Sequence, residues 1–216
     1  MITYVVHWVY EPELDGKGCG VPIGEMMRMF KASAGEGRFV FITDQDTPAQ
    51  DDWTTIRVPR KDHSIMGHMM FARSLVCDLL EGNVVFADAD TLITRDLEPL
   101  FEGRWSMSVP WYPRYLSGVM LCRDLDFAKK FFFEAHRRIE KCGRASQVFG
   151  ADLSVTKDMI IEDGTGIHKD TQERICCTTP VTREGAEMWS NKGAYLLNFK
   201  GIRKLHMETV FKGLTC

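Results

Sequence analysis

Two aspartates one residue apart, Asp88 and Asp90, follow the apolar run Val84-Val85-Phe86 in the stretch from Asn83 to Phe101. A run of that kind predicts a short buried strand, and strand alternation would turn both carboxylates to the same side at its carboxyl end. Two converging carboxylates resist ionising together unless a cation lies between them. Their hard oxygens suit Mg²⁺ or Mn²⁺, ions that keep coordination positions open for phosphate oxygens. Thr91-Leu92-Ile93 and an acidic turn with Pro99 come next. That layout fits an α/β enzyme binding its ligand at the carboxyl edge of a sheet. The plainer reading is a solvated turn or a helix cap, because Asp-x-Asp is a common tripeptide.

Strand-like and helix-like segments alternate around this pair, so the expected fold class is α/β, a mostly parallel central sheet flanked by helices. Ile2 to Tyr10 reads as a strand, Glu25 to Ser33 as a helix after the Pro22/Gly24 loop, and Arg38 to Thr43 as a second strand. The acidic stretch Asp44 to Asp52 is then a loop at a carboxyl end, and Thr55 to Val58 another short strand. A helix from about Ser64 to Leu80 stops at Gly82 and delivers the chain to the acidic strand. Trp105 to Pro110 and Gly118 to Arg123 read as strands, Asp126 to Cys142 as a helix, and the tail from Tyr195 as one strand and a closing loop. Met26, Met27 and Met29 are expected to pack in the core. The spacing of His63 and His68 does not make them neighbours on one helical turn, and neither is read as a ligand.

Composition agrees with one globular domain. The chain of 216 residues is long enough for one buried core and short for two. Its 44% hydrophobic and 26% charged residues argue against disorder. A formal charge of −3 gives no general affinity for nucleic acid or anionic membrane. No apolar run approaches the roughly 20 residues that span a bilayer. Met1 to Val9 lacks a basic leader and a small-residue cleavage site, so it is read as the first strand, not a signal peptide. The seven cysteines are scattered, with no Cys-x-x-Cys pair, which points to reduced thiols and a cytoplasmic setting.

Val84 to Ile93, with Asp96-Leu97-Glu98-Pro99-Leu100-Phe101 after it, resembles the DxD metal-binding segment of GT-A-fold glycosyltransferases. The resemblance is to the glycogenin and lipopolysaccharide galactosyltransferase group and the small phage or bacterial transferases similar to it. Phe39 to Asp44 resembles that group's second strand with its Thr-Asp ending, and Phe71 to Leu75 its aromatic-x-Arg-Leu element. Ser117-Gly118-Val119-Met120-Leu121 resembles its Asn-Ser-Gly-Val-Met strand, and Asn198 to His206 its closing His-Phe-x-Gly-x-x-Lys-Pro-His/Trp element. The likeness is good from Phe39 to Arg123, thin from about Asp124 to Ala194, and recognisable again at the end.

This resemblance implies a GT-A-like nucleotide-diphospho-sugar transferase fold in a single domain, residues 1–216. The nucleotide-sugar part would occupy about 1–123, the acceptor side about 124–194 and the closing metal and phosphate element 195–216. The implied reaction moves a sugar from a nucleoside diphosphate donor, a UDP-sugar, to a hydroxyl acceptor, with retention of configuration. Asp88 and Asp90 would hold Mn²⁺ or Mg²⁺ against the diphosphate. Lys204 matches the lysine that reaches the same diphosphate, Arg73 the arginine that contacts the nucleotide-sugar, and Asp44 the residue at the nucleoside. Gly201 would let backbone approach the phosphates, and Asp152 would lie near the acceptor or act as a base in an inverting route.

The pattern departs from the family at two places. Asn198 stands where relatives place a histidine ligand, so either its amide or the nearby His206 would complete the metal site. Leu116 replaces the asparagine that touches the donor sugar. On the acceptor side, Lys129, Lys130, Arg137, Arg138, Lys141 and Arg144 lie on or beyond one helix, with Glu134 and Glu140 as counterweights. They read as a solvated face, or as a surface for a polyanion such as phage DNA with hydroxymethylated bases. A saccharide or other small hydroxyl compound is the preferred acceptor. The alternatives in other classes are a sugar nucleotidyltransferase, for which Gly16 to Gly24 is too irregular a phosphate loop, and a non-catalytic nucleotide-sugar binding module.

Overall fold

The computed structural model describes residues 1–10, 21–60, 63–111, 118–142, 151–171, 174–176, 184–185, 188, 192–199 and 201–214. Leu116, Ser117, Arg144, Phe149, Gly150 and Lys200, as well as Cys19, Cys177 and Cys216, lie outside the described residues.

In chain order the elements are β1 (Thr3–His7), α1 (Ile23–Ala34), β2 (Arg38–Thr43), β3 (Thr54–Arg57), α2 (Ile65–Val76), β4 (Val84–Ala87) and β5 (Thr91–Ile93). They continue with β6 (Met107–Pro110), β7 (Val119–Cys122), α3 (Leu125–Lys141), α4 (Ala151–Glu162), β8 (Ile167–Asp170), β9 (Ile175–Cys176), β10 (Leu196–Asn198) and α5 (Met207–Leu214). Seven strands form the central sheet in the order β3-β2-β1-β4-β7-β6-β8. The pairs from β3 to β4 are parallel, as is β6 with β8, whereas β7 runs antiparallel to both of its neighbours. A second sheet, β5-β10-β9, is built from short segments far apart in sequence.

Strand alternation sorts the central sheet into two cores. Tyr4, Val6, Phe39, Phe41, Val85, Ala87, Val119 and Leu121 face α1, α5 and the second sheet. Val5, Val40, Ile42, Val84, Phe86, Met120 and Cys122 face α2, α3 and α4. Both faces are covered, which is why these strands read as continuous apolar runs. Met26, Met27 and Met29 are buried on α1 as expected. Full burial of a Phe or Leu contributes about 1.5–3 kcal/mol, and an exposed ion pair at most about 1 kcal/mol, so the cores decide the architecture.

The helix ends have local causes. Ser64 caps α2 by accepting from the Gly67 N–H at 3.0 Å, and Asp124 caps α3 by accepting from the Phe127 N–H at 2.9 Å. Gly35 closes α1 at φ 69°, where a side chain would be strained. The helix expected to reach Leu80 ends at Val76 and tightens into a 3₁₀ turn over Cys77–Leu79. Five elements go beyond the sequence expectation, β5, α4, β8, β9 and α5, the last standing where a closing loop was expected. Among the described residues no helix is long and apolar enough to cross a membrane.

A histidine pair, His7 half-buried and His68 fully buried, ties β1 to α2. His68 Nε2 lies 2.8 Å from the Val58 carbonyl and so carries the proton. His68 Nδ1 is therefore the acceptor for His7 Nε2–H at 3.0 Å. Burial pushes His7 well below its ordinary value of 6.5, and the nearby His68 and Arg73 add to the shift. Burial also lowers His68, against the opposing pull of the Val58 bond.

Because both folded-state values are depressed, this stability is complete above the unfolded value of 6.5 and is lost as pH falls below it. Stability of the chain to urea is expected to fall on acidification from pH 6.5, by at most about 1.4 kcal/mol per pH unit for each proton taken up. His7→Gln should flatten that slope. A slope unchanged in the variant would show that the pair does not carry it.

Candidate active site

The path of the chain locates a crevice before any side chain is considered. From β1 it passes through α1 to β2 and β3 on one side, then returns through α2 to β4 on the other side of β1. The helices α1 and α2 lie on opposite faces of the sheet. Such a reversal leaves an opening beyond the carboxyl ends of β1 and β4, where open α/β sheets bind ligands. Asp88 is the residue that follows β4.

Asp88 and Asp90 do not stand on the strand, so its alternation does not orient them. The strand ends at Ala87, and the acidic pair occupies the turn between β4 and β5. The Asp88 N–H still bonds to the Gly118 carbonyl at 2.8 Å, which extends the β4–β7 ladder by one step. Asp88 is half-buried and Asp90 is 6% exposed.

The closing element reaches this turn through the second sheet. In the antiparallel β5–β10 register, Asn198 lies opposite Thr91. The Phe199 N–H then bonds to the Asp90 carbonyl at 2.7 Å. The Asn198 side chain donates Nδ2–H to Asp90 Oδ1 and to Thr91 Oγ1, both at 2.9 Å. Its amide nitrogen therefore addresses Asp90, so Asn198 positions the carboxylate. A 3₁₀ turn over Gly201–His206 follows, and it brings Lys204 Nζ to 3.1 Å from Asp90 Oδ2. One Asp90 oxygen thus receives an amide and the other an ammonium. The half-buried His206 closes the same 3₁₀ turn. Among the described residues, Asp88, Asp90 and His206 do not bring ligand atoms within 4.8 Å of one another as a group of three.

The other residues singled out in the sequence have different surroundings. Asp44, after β2, is 5% exposed and accepts from the N–H groups of Thr47 at 2.9 Å and Asp46 at 3.2 Å. Burial raises its affinity for a proton, but the side-chain and backbone bonds from Thr47 and the Asp46 N–H outweigh this and lower it overall. Its carbonyl accepts from Arg57 at 2.7 Å, so Asp44 organises its own loop. Arg73 is 1% exposed, with its guanidinium 5.7 Å from the Phe86 ring centre and 5.8 Å from that of Phe132. This places the cation behind β4, the strand that leads to Asp88. Asp152, in the first turn of α4, is 6% exposed, and its carbonyl accepts from Thr156 Oγ1 at 2.5 Å.

On the acceptor side, much of the basic run on α3 is paired. Arg137 and Arg138 share Glu134 at 2.6 and 2.8 Å, Arg138 also reaches Glu162 at 2.7 Å, and Lys129 meets Asp78 at 2.6 Å. The two arginine bonds push Glu134 down to about 2. A cavity of about 750 Å³ does exist, but it is lined by Ile2 and Gly37 at the amino ends of β1 and β2, with Ser33 and Ile93, and neither Asp88 nor Asp90 lines it.

Asn198 joins two distant segments around Asp90, so its loss should be felt as stability. Asn198→Ala is expected to lower the unfolding free energy by about 1–3 kcal/mol with an unchanged denaturant slope. Equal stability in urea titrations would mean that the two bonds contribute nothing net.

Neither a family model nor a curated protein matches the sequence, but solved structures match the fold. The chain superposes on the glycosyltransferase GlyE from Streptococcus pneumoniae with a TM-score of 0.55 at 15% identity, over 98% of this chain and 61% of that one. It therefore spans less than two thirds of the GlyE chain. A glycosyltransferase involved in glycosylation of the major capsid of PBCV-1 gives 0.58 at 11% identity, over 97% of this chain and 99% of the other. The galactosyltransferase LgtC, solved with donor and acceptor sugar analogues, gives 0.57 at 12% identity over 99% and 96%. The chain has the GT-A-like nucleotide-diphospho-sugar transferase fold, a mostly parallel central sheet flanked by helices.

Proposed function

We propose that this chain is a metal-dependent glycosyltransferase that moves a sugar from a UDP-sugar donor to a hydroxyl acceptor, with retention. The observation that carries the reading is the placement of Asp90. A buried carboxylate is held by Asn198 and Lys204 at the switch point of a glycosyltransferase fold, beside a second aspartate.

The donor set of Asp88 and Asp90, two hard carboxylates of which one is half-buried, fits Mn²⁺ or Mg²⁺. When bound, such an ion supplies Lewis-acid charge to the oxygens of a diphosphate. His206 is the further ligand we assign to it.

Lys204 has two partners in this scheme. Without donor its ammonium neutralises Asp90. With donor it turns to the diphosphate, where negative charge grows as the anomeric C–O bond breaks and its electron pair passes to the phosphate oxygen. The acceptor oxygen bonds to the anomeric carbon from the same face, and its proton passes to the departing phosphate. Electrostatic stabilisation of that leaving group is the main catalytic contribution. Gly201 gives the phosphates close access to backbone, and Asp44 is assigned to the nucleoside side. Arg73, almost wholly buried, acts on the donor through its charge more than by contact. Asp152 is placed on the acceptor side.

The pairing of Arg137, Arg138 and Lys129 with acidic neighbours favours an uncharged acceptor, a saccharide or small hydroxyl compound, over a polyanion such as hydroxymethylated DNA.

Incubation with Mn²⁺ and individual nucleotide-sugars should give slow donor hydrolysis, releasing nucleoside diphosphate and free sugar. Excess chelator should stop it, and Asp90→Asn should reduce it by roughly 10²-fold or more. Pyrophosphate as the product would indicate a nucleotidyltransferase, and full turnover in chelator would refute the metal assignment.

Lys204→Ala should slow turnover and weaken nucleoside diphosphate binding together. Wild-type behaviour in that variant would remove Lys204 from the site.

A further inference from the structure

A second cluster of ligand-type side chains lies on the opposite face of the sheet from α1. α2 and α3 pack antiparallel: Lys129 near the start of α3 meets Asp78 just past the end of α2, and Glu140 near the end of α3 meets Ser64 at the start of α2. At that second junction, one ligand atom each from His63, His136 and Glu140 lies within 4.8 Å of the others. His63 Nδ1 is 3.8 Å from Glu140 Oε1, and the rings of His63 and His136 meet edge to face at 4.8 Å. His136 and Glu140 are one helical turn apart on α3, so both project from one face. His63 comes from the segment just before α2.

We propose that His63, His136 and Glu140 bind a transition-metal dication of the Zn²⁺ class, separate from the acidic turn at Asp88 and Asp90. Bonds of about 2.1 Å in a tetrahedral zinc site put ligand atoms about 3.4 Å apart, so the observed cluster needs only small side-chain rotations to close. Two imidazoles and one carboxylate make a borderline-soft set that suits Zn²⁺ over Mg²⁺. The side chains of His63 and Glu140 are 23% and 31% exposed, which leaves a side open for water as the fourth ligand.

The surroundings support the three residues as metal-site neighbours do. His136 Nδ1 lies 3.1 Å from the Gly67 carbonyl, a bond that places the proton on Nδ1 and leaves the Nε2 lone pair as donor. Ser64 Oγ lies 3.4 Å from Glu140 Oε1. Gly67 makes room for the carboxylate: a Cβ there would come within 1.7 Å of Glu140 Oε1. A metal so held would pin the start of α2 to the end of α3. His68, one turn into α2, bonds to His7 at the end of β1, so the pin lies at the carboxyl edge of the sheet.

The test is titration of the whole chelator-stripped chain with Zn²⁺, and with Co²⁺ as a spectroscopic probe. Expected are one equivalent bound, the visible absorption bands of tetrahedral Co²⁺, and a rise in Tm. His63→Asn and His136→Asn should each weaken binding by more than the roughly 10–100-fold that loss of a supporting contact costs. Gly67→Ala, which displaces the Glu140 carboxylate while sparing both rings, should also weaken it. Should His136→Asn fail to fold by circular dichroism, His63→Asn, outside both helices, still decides. Asp90→Asn should retain full Zn²⁺ and Co²⁺ binding. Loss of binding in Asp90→Asn, undiminished affinity in His63→Asn, or no stoichiometric binding by the wild type would each overturn the proposal. None of these readouts requires glycosyl transfer, so the outcome is independent of that reading.

Discussion

The pairing of β10 with β5 is the constraint on which the site depends. Asn198 meets Asp90 and Thr91 only because Asn198 stands opposite Thr91 in that register, across a separation of 108 residues. A slip of one residue would turn the amide to the other face of the ribbon and carry the following 3₁₀ turn away from Asp90. Leu196 and Leu197, both fully buried, hold the register from below. The chemistry at the top of the ribbon is therefore guaranteed by apolar packing beneath it, where each buried side chain outweighs any surface ion pair.

The central sheet supplies the rest of the geometry. Its alternation of Tyr4, Val6 and Phe39, Phe41 towards one core and Val5, Val40, Ile42 towards the other leaves little freedom in how the strands stack. That rigidity fixes the carboxyl ends of β1 and β4, and with them the crevice beside Asp88. Arg73 contributes from within: its cation lies against Phe86 on β4 and Phe132 on α3, whose rings meet edge to face at 4.9 Å.

Much of this was legible in the sequence where physics leaves a local trace. β2 matched its expected limits at Arg38 and Thr43, because a strand buried on both faces must be an unbroken apolar run. α4 left a weak trace, since Asp152 and Thr156 are its buried polar residues and sit one turn apart, blurring the apolar stripe. β8 is largely polar and β9 very short, so neither stands out from a loop. The acidic pair was found, but alternation was the wrong cause: the strand ends before Asp88, and a turn presents both residues. Asn198 and Lys204 were reached only through resemblance, because nothing local to either residue encodes a partner so far away. His63 was passed over for the same reason. Its neighbours His136 and Glu140 belong to a helix that only folding brings alongside.

Under the proposed function, the contact between Lys204 and Asp90 would also couple two kinds of binding. A cation that takes Asp90 must displace the ammonium, and an anion that takes the ammonium must release the carboxylate. Each event removes the competitor of the other, so a cation and an anionic ligand assist one another through a single broken ion pair. By linkage the assistance is equal in both directions. In the proposed scheme the pair would thus work as a heterotropic switch only one bond long, and cooperativity at this site would need no movement of the sheet that supports it.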